Sequence, residues 1–456
     1  MKRIVSILLS LILFTGTVSA ALNGDVDKDG EITVSDALSA LRMAVSVDEA
    51  DDSADVDGDG QITVNDALQL LRCSVGFITT DGLAGVPELK FGVSENGASL
   101  GLTQEMIDRG VVSAGDPSRI VKVMRKAQAG EDIKIGFIGG SVTVGGAATT
   151  RELSYARLVH DWWEAAFPNV TVNYVNAGKS GTPSLFAVHR LEQHLMYSEP
   201  DLVVIEFGVN DELMAWQQEA YASLVRRILT DDCAPAVLLF FVMNDGGTCA
   251  QSDQVPIGEF YDLPMVSYRD AIWPEVEKGT FIWKDICADW VHPTDIGHAI
   301  CAELINTYFQ TVYDNLNKLS SEVPPIPDDV PFPYSYEHAV WHNKNNTTPI
   351  SMGGFKVSTN YDHSWVNAGD STDPLVLRFY GKRLIIHVNQ AHTDKANAYV
   401  SIDGGDQIKL SKENLLISSG AYGYYMLMDE AEPAWHTVEI TRVSNDLEVS
   451  GLFASW

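Results

Sequence analysis

The chain has 456 residues, enough for about three domains of roughly 150 residues each, which excludes a single small binding module. Hydrophobic residues make up 45% of it and charged residues 20%, as in folded proteins, so a largely disordered chain is excluded. Acidic residues number 62 against 31 Lys and Arg, and the net charge of −31 argues against nucleic acid or an anionic membrane as partner.

The first twenty residues have the pattern of a secretory signal. Lys2 and Arg3 precede an apolar run over residues 4–14, and small residues lead up to Ala20. This run is shorter than the ~20 residues of a membrane-spanning helix. We therefore expect residues 1–20 to be a signal peptide that is removed, and the mature protein to be secreted and extracellular.

A repeat with a period of thirty residues follows. Residues 25–36 align with residues 55–66, and each copy has carboxylates at positions one, three, five and twelve and glycine at position six. Oxygen donors at this spacing predict EF-hand-like calcium loops, although a pair of acidic surface turns is the alternative. The predicted ligands of two structural Ca²⁺ ions are Asp25, Asp27, Asp29, Glu31 and Asp36 in the first loop and Asp55, Asp57, Asp59, Gln61 and Asp66 in the second.

An apolar stripe at helical spacing follows each loop, formed by Leu38, Leu41 and Val45 and again by Leu68, Leu71 and Val75. Each unit of this tandem has only the helix after its loop, without the helix that an EF-hand has before it, and has Asp rather than Glu at position twelve. It resembles a type I dockerin over residues 22–78. The resemblance implies the cohesin domain of a scaffoldin as partner and a place in a cellulosome.

Residues 88–320 alternate strand-like and helix-like segments. Amphipathic stretches such as 154–167 and 185–197 separate apolar runs at 133–138, 170–176, 202–207 and 236–242. This alternation predicts a three-layer α/β/α sandwich around a parallel sheet. Since ligands in such folds bind at the carboxyl ends of the strands, the residues that follow each strand are the candidates for a site.

Four blocks follow these strands or come near the end of the segment: Gly139-Gly140-Ser141, Asn176-Ala-Gly178, Gly208-Val-Asn210-Asp211 and Asp289-Trp-Val-His292. In this order they resemble the SGNH (GDSL-like) hydrolases, with Gly140 where the GDSL pattern has Asp. The resemblance implies a catalytic triad of Ser141, His292 and Asp289. It also implies an oxyanion hole formed by the Ser141 amide, the Gly178 amide and the Asn210 side chain, and catalysis without a cofactor.

These residue types suit ester cleavage. A serine hydroxyl becomes nucleophilic when an imidazole takes its proton, and a nearby carboxylate orients that imidazole. Taken singly, Ser141 could be a helix cap, Asn210 a turn residue and His292 a loop histidine, but their joint occurrence favours catalysis. The remaining polar residues of interest are expected to have packing, surface or structural roles: His160, His189, His298 and Glu206.

The last part of the chain has a proline-rich segment followed by a segment in which apolar and polar residues alternate. Five prolines within 321–333 predict a semi-rigid linker. Residues 334–456 alternate apolar and polar residues between turns, which predicts an antiparallel β-sandwich of jelly-roll type. This segment resembles the accessory β-domains of SGNH carbohydrate esterases. Four aromatic residues are candidates for stacking on sugars, with burial expected for most of them: Trp341, Trp365, Tyr424 and Trp435.

The export signal, the dockerin-like repeat and the SGNH blocks together predict a secreted cellulosomal carbohydrate esterase. It would remove acetyl groups from plant cell-wall polysaccharide of the xylan or mannan type. Two alternatives stay open. One is a docked, non-catalytic carbohydrate-binding subunit, and the other is an SGNH lipase or esterase that acts on lipid esters.

Overall fold

The computed structural model describes residues 24–29, 32–45, 47–56, 62–63, 66–67, 70, 73–74, 89–93, 99–333, 335–359, 363–389, 398–419, 422–443 and 446–456. The predicted signal peptide lies outside these residues, as do Glu31, Asp57, Asp59 and Gln61 of the predicted calcium loops. The chain divides into two compact units, Met1–Leu89 and Lys90–Trp456.

In the first unit the described residues include helix α1 (Val34–Ala44), a 3-10 turn over Asp52–Ala54 and helical positions at 66–67, 70 and 73–74. Thr33 caps α1, because its hydroxyl accepts the Ser35 N–H while the Asp36 carboxylate accepts the Thr33 N–H. The small core contains residues from equivalent positions of the two repeats: Val26 and Val56, Ala37 and Ala67, and Ala40 and Leu70. The repeated sequence therefore builds one shared core.

The next elements are a two-stranded sheet and an α/β domain. Strands β1 (Leu89–Val93) and β2 (Ser99–Leu102) form the small sheet. The strands of the α/β domain are β3 (Val111–Ser113), β4 (Ile133–Gly139), β5 (Val172–Gly178), β6 (Leu202–Glu206), β7 (Ala236–Phe241) and β8 (Met265–Ser267). Its helices are α2 (Gln104–Gly110), α3 (Ser118–Gln128), α4 (Ser141–Val144), α5 (Tyr155–Ala166), α6 (Ser184–His194), α7 (Ala215–Leu229), α8 (Gln251–Phe260), α9 (Tyr268–Glu277), α10 (Trp283–Ile286) and α11 (Asp295–Asp314).

The six strands form one sheet in the order β3-β8-β7-β6-β4-β5. Strands β4 to β8 are parallel, whereas β3 pairs antiparallel with β8 at one edge. The prediction of an entirely parallel sheet is therefore wrong at that edge. Strand β3 has only three residues, which is too short for an alternating pattern to stand out in the sequence.

Both faces of this sheet are covered by helices. Alternate residues of β6 point to opposite cores, with Leu202 and Val204 in one and Val203 and Ile205 in the other. The first core also contains residues of α3, α5, α9 and α11, and the second contains residues of α6, α7 and α8. The predicted three-layer α/β/α arrangement follows from this division.

Residues 321–333 contain no helix or strand, and an antiparallel sheet follows. Its strands are β9 (Ala339–His342), β10 (Lys356–Val357), β11 (Trp365–Asn367), β12 (Leu375–Asn389), β13 (Ala398–Ile402), β14 (Ile408–Lys409), β15 (Leu415–Ser419), β16 (Tyr422–Arg442) and β17 (Leu447–Ser455). The antiparallel β-domain is confirmed. Its described strands are hydrogen-bonded into one nine-stranded sheet rather than into separate sheets. The pairing of the long strands β12 and β16 has register shifts near Gly381 and Leu384.

The β-domain packs directly on helix α6. The Phe186 ring contacts the rings of Trp341 and Phe453 at centroid distances of 4.8 and 5.0 Å. Gln193 Nε2 also donates to the Trp341 carbonyl at 2.9 Å. The second core of the α/β domain therefore continues into the β-domain. Among the described residues, every helix is too short or too polar to span a lipid bilayer.

Candidate active site

Ser141 begins the short helix α4 where strand β4 ends, with Gly140 as the preceding cap residue. Asn176 Nδ2, from β5, donates to the Thr143 carbonyl at 2.7 Å and so holds α4 against the sheet. The Gly146 N–H donates to the Ser141 carbonyl at 2.8 Å and closes the turn. The serine is thereby fixed at the carboxyl edge of the sheet, as the sequence predicted.

Asp289 and His292 lie on a hairpin formed by residues 287–293. An isolated bridge pairs Cys287 with Pro293, and the Ala288 N–H donates to the His292 carbonyl at 2.8 Å. Trp283 Nε1 donates to the Asp289 carbonyl at 2.7 Å from helix α10. These bonds fix the backbone of both residues although Asp289 is exposed.

The three predicted triad residues form a continuous hydrogen-bonded chain. Ser141 Oγ lies 2.8 Å from His292 Nε2, and His292 Nδ1 lies 2.7 Å from Asp289 Oδ2. Because a carboxylate can only accept, Nδ1 carries the proton and Nε2 is left to accept the serine proton. The second oxygen, Asp289 Oδ1, accepts the His292 and Val291 N–H groups at 2.8 and 2.9 Å.

The Asp289 carboxyl is held in its charged form. Partial burial raises its pKa, but hydrogen bonds from the His292 ring and from the His292 and Val291 N–H groups outweigh that effect and lower the pKa below its ordinary value. The aspartate is therefore ionised at every pH at which the imidazole is needed as a base.

The three predicted oxyanion donors are not equivalent in this structure. The Ser141 N–H belongs to the first turn of α4, where backbone N–H groups have no partner within the helix. The Asn210 side chain lies directly against Gly140, next to the serine. The Gly178 N–H, by contrast, donates to Asn176 Oδ1 at 2.8 Å, so it can serve a substrate only after that bond breaks.

The structure explains why glycine precedes the serine. A Cβ atom on residue 140 would overlap the side-chain amide of Asn210. The aspartate of the GDSL pattern therefore has no room at this position unless Asn210 moves. The close approach of Asn210, the predicted oxyanion donor, to residue 140 therefore accounts for glycine in place of aspartate before the serine.

Sequence reasoning missed the turn over Gly145 and Gly146, which packs on the imidazole. A Cβ atom on Gly146 would come within 2.7 Å of His292 Cδ2. His298 holds this turn, because its Nε2 donates to the Gly146 carbonyl at 3.1 Å while Nδ1 accepts the Tyr155 N–H at 3.2 Å. Burial lowers the His298 pKa to about 4, so the ring is neutral. The only sequence signal was the glycine pair itself.

Glu206 is a second buried group near the serine, at the end of β6. Its Oε1 accepts the Gly208 N–H at 3.0 Å, and the Thr143 hydroxyl lies 3.5 Å from Oε2 and 2.9 Å from the Tyr155 hydroxyl. The Glu206 pKa is raised to about 8, chiefly by burial. The charge of Asp211 also raises this pKa, whereas the hydrogen bonds from the Gly208 N–H and the Thr143 hydroxyl lower it. The carboxyl is therefore protonated at neutral pH and makes structural hydrogen bonds, as its sequence context suggests.

The first of the two predicted calcium loops has a donor set that fits a hard cation. Carboxylate oxygens of Asp25, Asp27 and Asp29 lie within 4.8 Å of one another. Buried Asp36 accepts the Val26 and Asp27 N–H groups with Oδ1, and the N–H and hydroxyl of Thr33 with Oδ2. In the second repeat, the buried carboxylate of Asp66 accepts the Val56 and Thr63 N–H groups in the same way.

The fold and the hydrogen-bonded serine, imidazole and carboxylate define the class of the protein as a serine hydrolase built on a three-layer α/β/α domain. The model of the GDSL-like Lipase/Acylhydrolase family matches residues 137–300. A two-domain esterase (CEX) active on acetylated mannans, co-crystallized with mannopentaose, is 30% identical and superposes with a TM-score of 0.67 over 76% of this chain and 97% of that chain. This chain belongs to the GDSL-like Lipase/Acylhydrolase family and is a serine esterase.

Another crystal structure of the CEX esterase is 29% identical, with a TM-score of 0.68 over 76% of this chain and 98% of that chain. Axe2, an acetylxylan esterase from Geobacillus stearothermophilus, is 23% identical over 39% of this chain and 94% of that chain, with a TM-score of 0.32. None of the curated proteins compared with this chain matches it.

Proposed function

We propose that this esterase removes acetyl groups from plant cell-wall polysaccharide, with acetylated mannan as the favoured substrate. The observation that carries the proposal is the continuous chain from Ser141 Oγ to His292 and Asp289, with distances of 2.8 and 2.7 Å. The substrate class is supported by the likeness over most of the chain to an esterase active on acetylated mannans.

In the proposed reaction Ser141 Oγ attacks the acetyl carbonyl carbon while His292 Nε2 takes the hydroxyl proton. The Ser141 N–H and the Asn210 side chain stabilise the charged oxygen, each contributing about 10²–10³ in rate. The ester C–O bond then breaks, and the sugar oxygen leaves with the proton from Nε2. Water next attacks the acetyl-serine and gives a proton to Nε2. The bond between the acyl carbon and Ser141 Oγ then breaks, Oγ takes the proton back from Nε2, and acetate leaves.

Acetate release from acetylated mannan, acetylated xylan and 4-nitrophenyl acetate tests this function, with Ser141→Ala as the matched blank. We expect release from the mannan with a higher kcat/KM than from the xylan, and a loss of at least ~10⁴-fold in the variant. Longer 4-nitrophenyl esters separate the lipid alternative, because a carbohydrate deacetylase should lose activity as the acyl chain grows. Inactivity on every acetyl ester would refute the proposal.

We also propose that residues 22–78 are a calcium-loaded dockerin on a secreted, cellulosome-associated enzyme. The equivalent contacts of Asp36 and Asp66 and the core shared between the repeats support this. Helix α1 also presents an exposed apolar row suited to a cohesin partner: Val34, Leu38, Leu41 and Val45. Capture by a panel of type I cohesins in the presence of Ca²⁺, and release by a chelator, is the expected result.

A further inference from the structure

The β-domain carries a row of aromatic rings that the proposed esterase chemistry does not use. His338 stacks on Trp456 at 5.6 Å, Trp456 meets Tyr380 at 5.5 Å, and Tyr380 meets Trp435 at 5.6 Å between ring centroids. We call His338, Trp456, Tyr380 and Trp435 the aromatic row. The Arg378 guanidinium lies 4.5 Å from the centroid of the Trp435 ring.

The strand register shows why these rings are on the surface. Leu375, Leu377 and Phe379 of β12 are buried, so the alternate residues Arg378 and Tyr380 point away from the core. Tyr380 pairs with Trp435 on β16, which brings the two rings to the same outer face. Trp435 keeps 60% of its surface exposed although Arg378 and Tyr380 both contact it. By contrast, the other three aromatic candidates from the sequence, Trp341, Trp365 and Tyr424, are buried in the core.

We propose that the aromatic row binds a neutral polysaccharide chain, separately from the esterase site. This rests on the proposed function in one respect, since the ligand would be the polymer whose acetyl esters are cleaved. A sugar ring has apolar C–H faces that stack on aromatic faces and a rim of hydroxyls that Arg378 and neighbouring polar groups can bond. The net charge of −31 disfavours a polyanion at the same surface.

The size of the row favours a polysaccharide over a protein partner. A fully covered aromatic side chain buries about 150–250 Å², and these rings already cover one another in part. Because Tyr380 and Trp456 are already half-buried and Trp435 is 60% exposed, the accessible part of the row falls well short of the about 800 Å² that each partner contributes to a stable protein interface. Contact with Arg378 and Tyr380 also holds the Trp435 ring in place, which lowers the entropy lost on binding.

Binding can be tested on the full chain in a Ser141→Ala background, so that the ligand is not consumed. Retention by acetylated and by deacetylated mannan is measured in affinity gels for the parent and for Trp435→Ala. We expect about tenfold weaker retention of Trp435→Ala on both polymers. Tyr197→Ala is the matched control, because Tyr197 is 70% exposed on the α/β domain, and it should bind like the parent. Trp435→Phe should retain part of the binding.

The outcomes separate this proposal from the esterase proposal. In the Ser141-containing chain, Trp435→Ala should leave kcat/KM for 4-nitrophenyl acetate unchanged. Retention of mannan without acetate release would support the aromatic row as a binding site and reject acetylated mannan as the substrate of the esterase. Equal retention of Trp435→Ala and the parent, or no retention of the parent on either polymer, would overturn the binding site. If the parent is an oligomer and Trp435→Ala is a monomer, the aromatic row is an interface between copies of this chain. That result would overturn the proposed polysaccharide site.

Discussion

At the scale of single residues, Gly140 controls the position of Asn210. In Gly140→Ala the new methyl group must displace the Asn210 amide, so we expect kcat on 4-nitrophenyl acetate to fall about 10²-fold with little change in KM. Gly369→Ala is the control, since a Cβ atom there would meet nothing within 4 Å.

A double-variant cycle makes this prediction specific. If Gly140→Ala acts through Asn210, combining it with Asn210→Ala should lose no more activity than Asn210→Ala alone. Additive losses, or an unchanged kcat in Gly140→Ala, would show that the methyl group is accommodated in another way.

The sequence predicted the triad residues but not the contacts that hold them. Ser141, His292 and Asp289 are predicted as a triad because their residue types occur in a recognisable order. The bond from Asn176 to the Gly178 N–H could not be predicted, because it depends on which rotamer Asn176 adopts beside α4. The support that His298 gives to Gly146 joins residues far apart in the chain, and no local pattern signals it.

At the scale of elements, Glu206 links β6 to α4 and α5 through Thr143 and Tyr155. Its pKa, raised to about 8 in the folded chain, lies above the ordinary value of 4.5. The folded state therefore binds the proton more tightly, and this contribution to stability is fully present below pH 4.5 and is lost as pH rises through about 8. Within that window the loss is up to about 1.4 kcal/mol per pH unit.

Glu206→Gln removes this titration while keeping the shape of the side chain. Urea unfolding at pH 5, 7 and 9 should show a smaller fall in the free energy of unfolding for the variant than for the parent. Part of the fall should remain, because burial also raises the Asp211 pKa, to about 7. Glu413→Gln, at an exposed position, should leave the pH profile as it is. Parallel profiles for Glu206→Gln and the parent would contradict this assignment.

The longer elements were predictable and the shorter ones were not. The four apolar runs of the α/β domain correspond to β4, β5, β6 and β7 within two residues. Strands β4, β6 and β7 are almost wholly buried, whereas β5 lies at the sheet edge and is only partly buried. Strands β3 and β8 have three residues each and give no pattern. The sequence of strand β16 shows two separate alternating segments, residues 422–428 and 437–442, because the middle of the strand, around Asp429, is exposed and interrupts the alternation.

At the scale of the whole molecule, the division into two units predicts different responses to calcium. Removal of Ca²⁺ with a chelator should increase proteolysis within residues 22–78, because crowded carboxylates such as Asp25, Asp27 and Asp29 repel one another without a cation. Turnover of 4-nitrophenyl acetate should not change, since no metal takes part in the proposed reaction. Ca²⁺ added back should restore resistance, whereas an equal concentration of Mg²⁺ should not.

Two other results would contradict this. Unchanged proteolysis after chelation would reject the calcium loops, and a parallel loss of turnover would mean that a metal also supports the esterase domain. The sequence predicts the domain order because composition changes sharply at the acidic repeats and at the prolines. The shared apolar core between α6 and the β-domain could not be predicted, because helix α6 looks like any amphipathic helix until its second partner is known.

That shared core has a consequence for how such a protein can be shortened. Phe186 and its neighbours on α6 would be exposed to solvent if translation stopped at residue 320. A large exposed apolar surface promotes aggregation. A smaller working esterase is therefore not obtained by trimming the tail. In evolution, too, the α/β domain and the β-domain would have to be inherited as one unit, whereas the N-terminal acidic repeats could be exchanged between proteins independently.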